Sequence, residues 1–132
     1  MDDAYERLLQ ELDECDRNST EFVEIVEKLK DLAKSGFYDA CETIAELTSL
    51  EPSIYNPKSA YVWYYIALKH QGYRTELANE GTPDYYTGPE GDFRNEAMVS
   101  ELVDEIGVQE LSSLDQQAEE WITSHPALPA PR

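Results

Sequence analysis

Asn56-Pro57-Lys58-Ser59-Ala60-Tyr61-Val62-Trp63-Tyr64-Tyr65-Ile66-Ala67-Leu68-Lys69-His70-Gln71-Gly72 reads as one helix with both ends marked. An asparagine at the N-cap accepts a hydrogen bond from one of the free backbone amides. A proline one position on has no amide to lose and a φ already suited to the helix. Gly72 is the stop, because glycine accepts the backbone reversal that ends a helix. Residues 60–68 are almost wholly apolar, so this helix belongs at the centre of the fold. Residues 61–66 are also the one candidate for a β-strand, and the caps decide for helix.

On the N-terminal side, Phe37, Ala40, Cys41, Ile44, Ala45 and Leu47 form the apolar side of a helix over residues 37–50, which Pro52 ends. Before it, Phe22, Ile25, Val26, Leu29, Leu32 and Ala33 mark another helix. Asn18 is its expected N-cap, Glu21 the capping-box partner and Gly36 the terminator. Tyr5, Leu8, Leu9, Leu12 and Cys15 predict a first helix over residues 2–16, with Asp2 and Asp3 in the turn where the dipole favours negative charge. On the C-terminal side, Ala97, Met98, Leu102, Val103 and Ile106 predict a helix over 95–106 that stops at Gly107. A last helix is expected to start at Ser112 or Ser113, bury Leu114, Ala118, Trp121 and Ile122, and end before Pro126. The expectation is an all-α fold of about six helices, with one helical domain over residues 1–125 and an extended tail over 126–132.

Helical periodicity fails between Gly72 and Phe93, and residues 76–93 are expected to form one long acidic and aromatic loop within the domain. Residues 80–93 hold Gly81, Gly88, Gly91, Pro83 and Pro89, which exclude regular structure. A loop this long inside a compact domain is functional or disordered. Tyr85 and Tyr86 make it an unusual linker.

The 132 residues carry 28 acids and 10 bases, a net charge of −18. Phosphate-bound nucleic acid needs Lys and Arg to release counterions, so direct nucleic-acid binding is excluded as an expectation. Anionic membrane surfaces are excluded on the same ground. There is no apolar run long enough for a transmembrane helix. A hydrophobic content of 41% with 11% aromatic residues is too rich for a solvating tail. Cys15 and Cys41 are too few for a disulfide framework, and the acidic start Met1-Asp2-Asp3 is unlike a secretory signal. A cytoplasmic location is therefore expected.

The middle of the chain resembles a Sel1-like repeat, a relative of the tetratricopeptide repeat. Gly36, Ala40, Ile44 and Ala45 are followed after a turn by Ala60, Trp63, Tyr64 and Ala67, in the spacing of that family's Ala-x-x-Trp-Tyr helix. Ala118 and Trp121 are similar to its closing helix. The resemblance implies a short right-handed array of α-hairpins. One complete unit is visible, so residues 1–35 and 94–125 act as degenerate flanking pairs. A plain helical bundle with an aromatic stripe is the alternative.

No catalytic constellation stands out. His70 and His125 lie near helix ends without partners at metal-ligand spacing, and the acids Asp13, Glu14 and Asp16 lack the pattern of a calcium loop. Nucleophile-elbow, phosphate-loop and dinucleotide motifs do not occur. Neither an enzyme activity nor a cofactor is expected.

The charge is uneven. Residues 1–74 have a net of −7, while residues 75–132 have −11 with only Arg94 and Arg132 as bases. Glu76, Glu80, Asp84, Glu90 and Asp92 interleave with Tyr85, Tyr86 and Phe93, and Glu101, Asp104 and Glu105 follow on the next helix. Aromatics anchor interfaces, and acids steer a basic partner in. These residues are the expected contact for a basic protein. The overall profile resembles the immunity proteins of bacterial contact-dependent toxin systems, which implies a cognate toxin domain, such as a nuclease, as partner. Two other readings stand beside it. In one, acidity serves only to keep the chain dispersed. In the other, a Sel1-like adaptor takes a peptide or partner helix in a groove near Trp63, Tyr64 and Tyr65.

Overall fold

The computed structural model describes residues 2–73, 75 and 93–128. Among these residues there are six α-helices: α1 (Asp2–Glu14), α2 (Thr20–Lys34), α3 (Asp39–Leu50), α4 (Pro57–His70), α5 (Ala97–Ile106) and α6 (Leu111–Ser124). Short 3-10 turns cover Pro52–Ile54, Phe93–Asn95 and Val108–Glu110, and no strand occurs among the described residues.

The first four helices pack in chain order, α1 on α2, α2 on α3 and α3 on α4. The last two have α4 as their chief partner rather than each other. α4 is therefore covered by α3, α5 and α6, which is why its sequence is apolar nearly all round. Ala60, Tyr61, Trp63, Tyr64, Tyr65, Ile66, Ala67 and Leu68 are all buried. Ala40 and Ala45 on α3 and Ala60 and Ala67 on α4 are 0–2% exposed, and such small side chains let helix axes approach closely.

The α4 caps are as the sequence predicts. Asn56 Oδ1 accepts from the Ser59 amide at 3.1 Å, with Pro57 first in the helix. At the other end Gly72 takes φ +104°, the Tyr73 amide donates to the Leu68 carbonyl at 2.9 Å and the Gly72 amide to Lys69 at 3.0 Å. This pair of reversed bonds is the Schellman motif. α2 ends identically, with Phe37 donating to Leu32 at 3.1 Å and Gly36 to Ala33 at 2.9 Å. That reversal uses up Phe37, so α3 starts at Asp39 rather than at residue 37.

Four other boundaries differ from expectation, the first being that α1 ends at Glu14 rather than at residue 16. The N-cap of α2 is Ser19, whose Oγ accepts from the Phe22 amide at 3.3 Å. Asn18 instead lies in a turn closed by Asp16, whose Oδ1 accepts the Asn18 amide at 2.9 Å. The capping box with Glu21 is thereby lost, because the third helical position is now Phe22. α5 starts at Ala97, after the turn that carries Phe93 and Arg94. α6 starts at Leu111 behind Glu110, without a side-chain cap. Leu111 is 2% exposed. Burying a leucine contributes about 1.5–3 kcal/mol, against about 1 kcal/mol for a serine cap, so packing sets this helix start.

The chain does not trail away after α6. Tyr38 Oη donates to the His125 carbonyl at 2.6 Å, and the Leu128 amide donates to the Gly36 carbonyl at 3.0 Å. Residues 125–128 thus lie across the α2–α3 turn. Residues 129–132 of the expected tail lie outside the described residues.

Candidate functional site

Of the residues expected to touch a partner, Glu76, Glu80, Asp84, Tyr85, Tyr86, Glu90 and Asp92 lie outside the described residues. What is described is where that segment leaves and rejoins the helices. On the exit side, Tyr73 packs against the core, and burial together with the Glu96 carboxylate pushes its hydroxyl pKa up. On the return side Phe93 is fully buried, its ring 5.4 Å from both Tyr61 and Tyr65. The expected contact role of Phe93 is therefore corrected: its hydrophobic area is already taken up inside the protein.

Arg94 follows it inward. Its guanidinium donates to Tyr61 Oη at 3.0 Å and to Asp115 Oδ2 at 2.5 Å, while Tyr61 donates to Asp115 Oδ1 at 2.6 Å. The Arg94 side chain is 8% exposed. The triangle joins the 93–95 turn to α4 and α6. Burial and the Asp115 hydrogen bond drive the Tyr61 hydroxyl far above its ordinary range, so it stays protonated. In the sequence Arg94 stands out only as one of two bases after residue 74, and Asp115 not at all. The available signal was that a base so isolated among acids needs a partner.

Glu101, Asp104 and Glu105 are exposed on α5. Glu101 and Glu105 line a recess of about 400 Å³ between α3 and α5; Asp104 does not. α3 contributes Glu46 and Leu50, Met98 lies on the α5 side, and Tyr64 and Leu102 also line it. Tyr55 is a further lining residue, and its hydroxyl donates to Glu105. Leu50 is 73% exposed, Met98 44% and Tyr55 43%. Three of the six most exposed large apolar side chains among the described residues thus meet here. Single exposed leucines need no account, but a cluster rimmed by charge marks a contact surface.

The charge of this recess is one-sided. Elsewhere the fold brings cations to its acids: Lys58 to Glu110 at 2.8 Å, Lys69 to Glu119, Arg94 to Asp115 and Arg17 to Glu51 at 3.5 Å. Among the described residues, no cation pairs with Glu46, Glu101 or Glu105. Burial, then repulsion from Glu42, pushes the Glu46 carboxyl above its ordinary pKa. A nearby cation would reverse that shift. Glu46, Leu50, Tyr55 and Met98 were not anticipated from sequence. They come from elements separated by the whole of α4, and only packing assembles them.

The groove expected near Trp63, Tyr64 and Tyr65 does not form as one surface. All three are buried. Tyr64 lies against the α3–α5 recess, Trp63 packs edge-on against Trp121 at 5.2 Å, and Tyr65 donates to Glu119 at 2.7 Å. Among groups with chemical potential, burial pushes the Cys41 thiol up to about 12, which keeps it a thiol at neutral pH. His70 packs on Tyr38 and His125 on Trp121. Among the described residues no group of His, Cys, Asp and Glu is placed to hold a metal ion, and no helix is long and apolar enough to cross a membrane.

Comparison with protein-family models, with curated proteins and with solved structures gives no match for this chain.

Proposed function

We propose that this chain is a non-enzymatic binding module that captures a basic protein, acting as an immunity protein against a cationic toxin domain. The observation that carries the proposal is the α3–α5 recess, where Glu46, Glu101 and Glu105 line the same surface as exposed Leu50, Tyr55 and Met98 and pair with no cation among the described residues. Apolar anchors supply residence time, and uncompensated carboxylates speed the encounter with a basic surface. A nuclease domain is such a surface, because it is built to hold phosphates. The acids of residues 76–92 would extend the same field, since that segment rejoins the helices at Phe93, four residues before α5 begins.

The Sel1-like reading of the fold draws support from Trp63 and Trp121, which stand three residues after Ala60 and Ala118 and pack on each other. A reducing cytoplasm suits the two free cysteines.

Titration calorimetry against the product of the neighbouring gene tests the function. Binding that weakens steeply as salt rises from low to physiological supports it. Absence of binding, or binding indifferent to salt, overturns it. Glu101→Gln with Glu105→Gln is expected to slow association by about tenfold at low ionic strength and to leave dissociation little changed. The adaptor reading differs in its sensitive residues: there, changes at Trp63 or Trp121 would abolish binding while the α5 acids would not matter.

A further inference from the structure

We infer that the α3–α5 recess is shaped for one kind of ligand, an amphipathic helix of the partner with an apolar stripe flanked on both sides by Lys or Arg. The inference rests on the protein-binding reading above and names the segment that would be bound.

Three features lead to a helix. The walls are two helices that both lie on α4, so an added helix would sit over the furrow between them as a further layer of the array, in the ridge-and-groove manner of helix packing. α5 has ten residues, or about 15 Å of length, enough for roughly three turns of a helix laid along it. The lining side chains of α5 are Met98, Glu101, Leu102 and Glu105, at offsets of three, four and seven, the spacing of one face of a helix. Capture of an extended peptide by strand addition would need a free sheet edge, and there is no strand among the described residues to offer one.

The chemistry of the flanks follows from the charges. Glu46 comes from α3, Glu101 and Glu105 from α5, so carboxylates stand on both walls of the recess that Leu50, Tyr55 and Met98 also line. A partner leucine or methionine stripe meets Leu50, Met98 and Tyr55. Lysine or arginine stems on either side cover the rim with their methylenes and set their heads against the carboxylates. An acidic helix would be repelled from both walls, and a neutral apolar one would leave three carboxylates facing poor solvation.

The probe is a synthetic Leu/Lys peptide of about 14 residues with helical apolar periodicity, compared with a peptide of the same composition rearranged to alternate every second residue. Binding to the full chain is measured by calorimetry at low salt, with amide chemical shifts locating the site. The helical peptide is expected to bind about tenfold tighter than its rearranged counterpart. Leu50→Ser with Met98→Ser, at two exposed positions, is expected to weaken it about fivefold or more. Equal binding of the two peptides, or shifts located away from α3 and α5, overturns the inference. The two proposals fail separately. If a basic toxin domain binds the chain but the Ser variants leave that binding and the peptide binding unchanged, the helix is wrong and the function stands. If neither the toxin domain nor the peptide binds, both fall.

Discussion

Gly36 takes φ +101°, a backbone conformation hostile to any side chain, and a Cβ there would come within 2.9 Å of Leu128 and of the Pro126 carbonyl. Gly107 has a comparable φ of +95° with nothing within 4 Å. The pair separates strain from crowding. Gly107→Ala is expected to cost about 1–2 kcal/mol in urea denaturation, the conformational term alone. Gly36→Ala should cost at least about 1 kcal/mol more, because the C-terminal strap must move. Equal losses would show that the strap contributes nothing. Glu46 gives a pH signature of opposite sign to a salt bridge. Its folded pKa is raised, by burial and by Glu42, so folding carries a penalty once the side chain is ionised. The penalty is absent below the unfolded value of about 4.3 and develops as pH rises through the folded one. Glu46→Gln should therefore raise the melting temperature at pH 7 and leave it unchanged near pH 3. A residue whose removal stabilises the fold while slowing association would be one kept for binding.

At the scale of an element, the starts of α2 and α6 obey different rules. α2 opens on a polar cap. Ser19→Ala is expected to cost about 1 kcal/mol and Asn18→Ala under about 0.5 kcal/mol, and the reverse order in thermal melts would move the cap back to Asn18. α6 opens on a buried leucine. Leu111→Ala should cost about 2–5 kcal/mol, whereas Ser112→Ala and Ser113→Ala should each stay within about 0.5 kcal/mol. The interiors were more legible than these ends. Phe22, Ile25, Val26 and Leu29 on α2, and Ala40, Cys41 and Ile44 on α3, are buried as their spacing predicts. Periodicity sums many positions, while a boundary turns on a contest between one cap and one neighbouring side chain.

For the molecule as a whole, α4 is the element on which the rest converges, and Arg94 is the bolt that holds its far side. It links the 93–95 turn to Tyr61 on α4 and Asp115 on α6. Arg94→Ala would strand the partly buried Asp115 carboxylate, at a cost of about 3 kcal/mol in denaturant unfolding. Arg94→Lys should recover little, because a lysine lacks the planar fork that serves both partners. Full recovery by lysine would reduce the triangle to simple charge. Burying this base has a second effect. Arg94, one of the two bases in the acidic half, is turned inward to Asp115, and among the described residues no cation pairs with Glu101 or Glu105 on α5.

Sequence by itself determined the helices and their centre. Proline, glycine and N-cap signals are local, and an apolar run too long for one face has to be covered on several sides. It also located the excess acid after residue 74 and named Glu101 and Glu105. Tertiary structure decided which acids matter together. Lys58 and Lys69 on α4 pair with Glu110 and Glu119, while no base among the described residues lines the furrow between α3 and α5. Glu46 and Leu50 share one recess with Met98, Glu101 and Glu105 although some fifty residues separate them in the chain. It also turned Phe93 from an expected contact into core. Charge is legible from composition, but whether a charge is paired, buried or left facing solvent depends on distances that only packing sets.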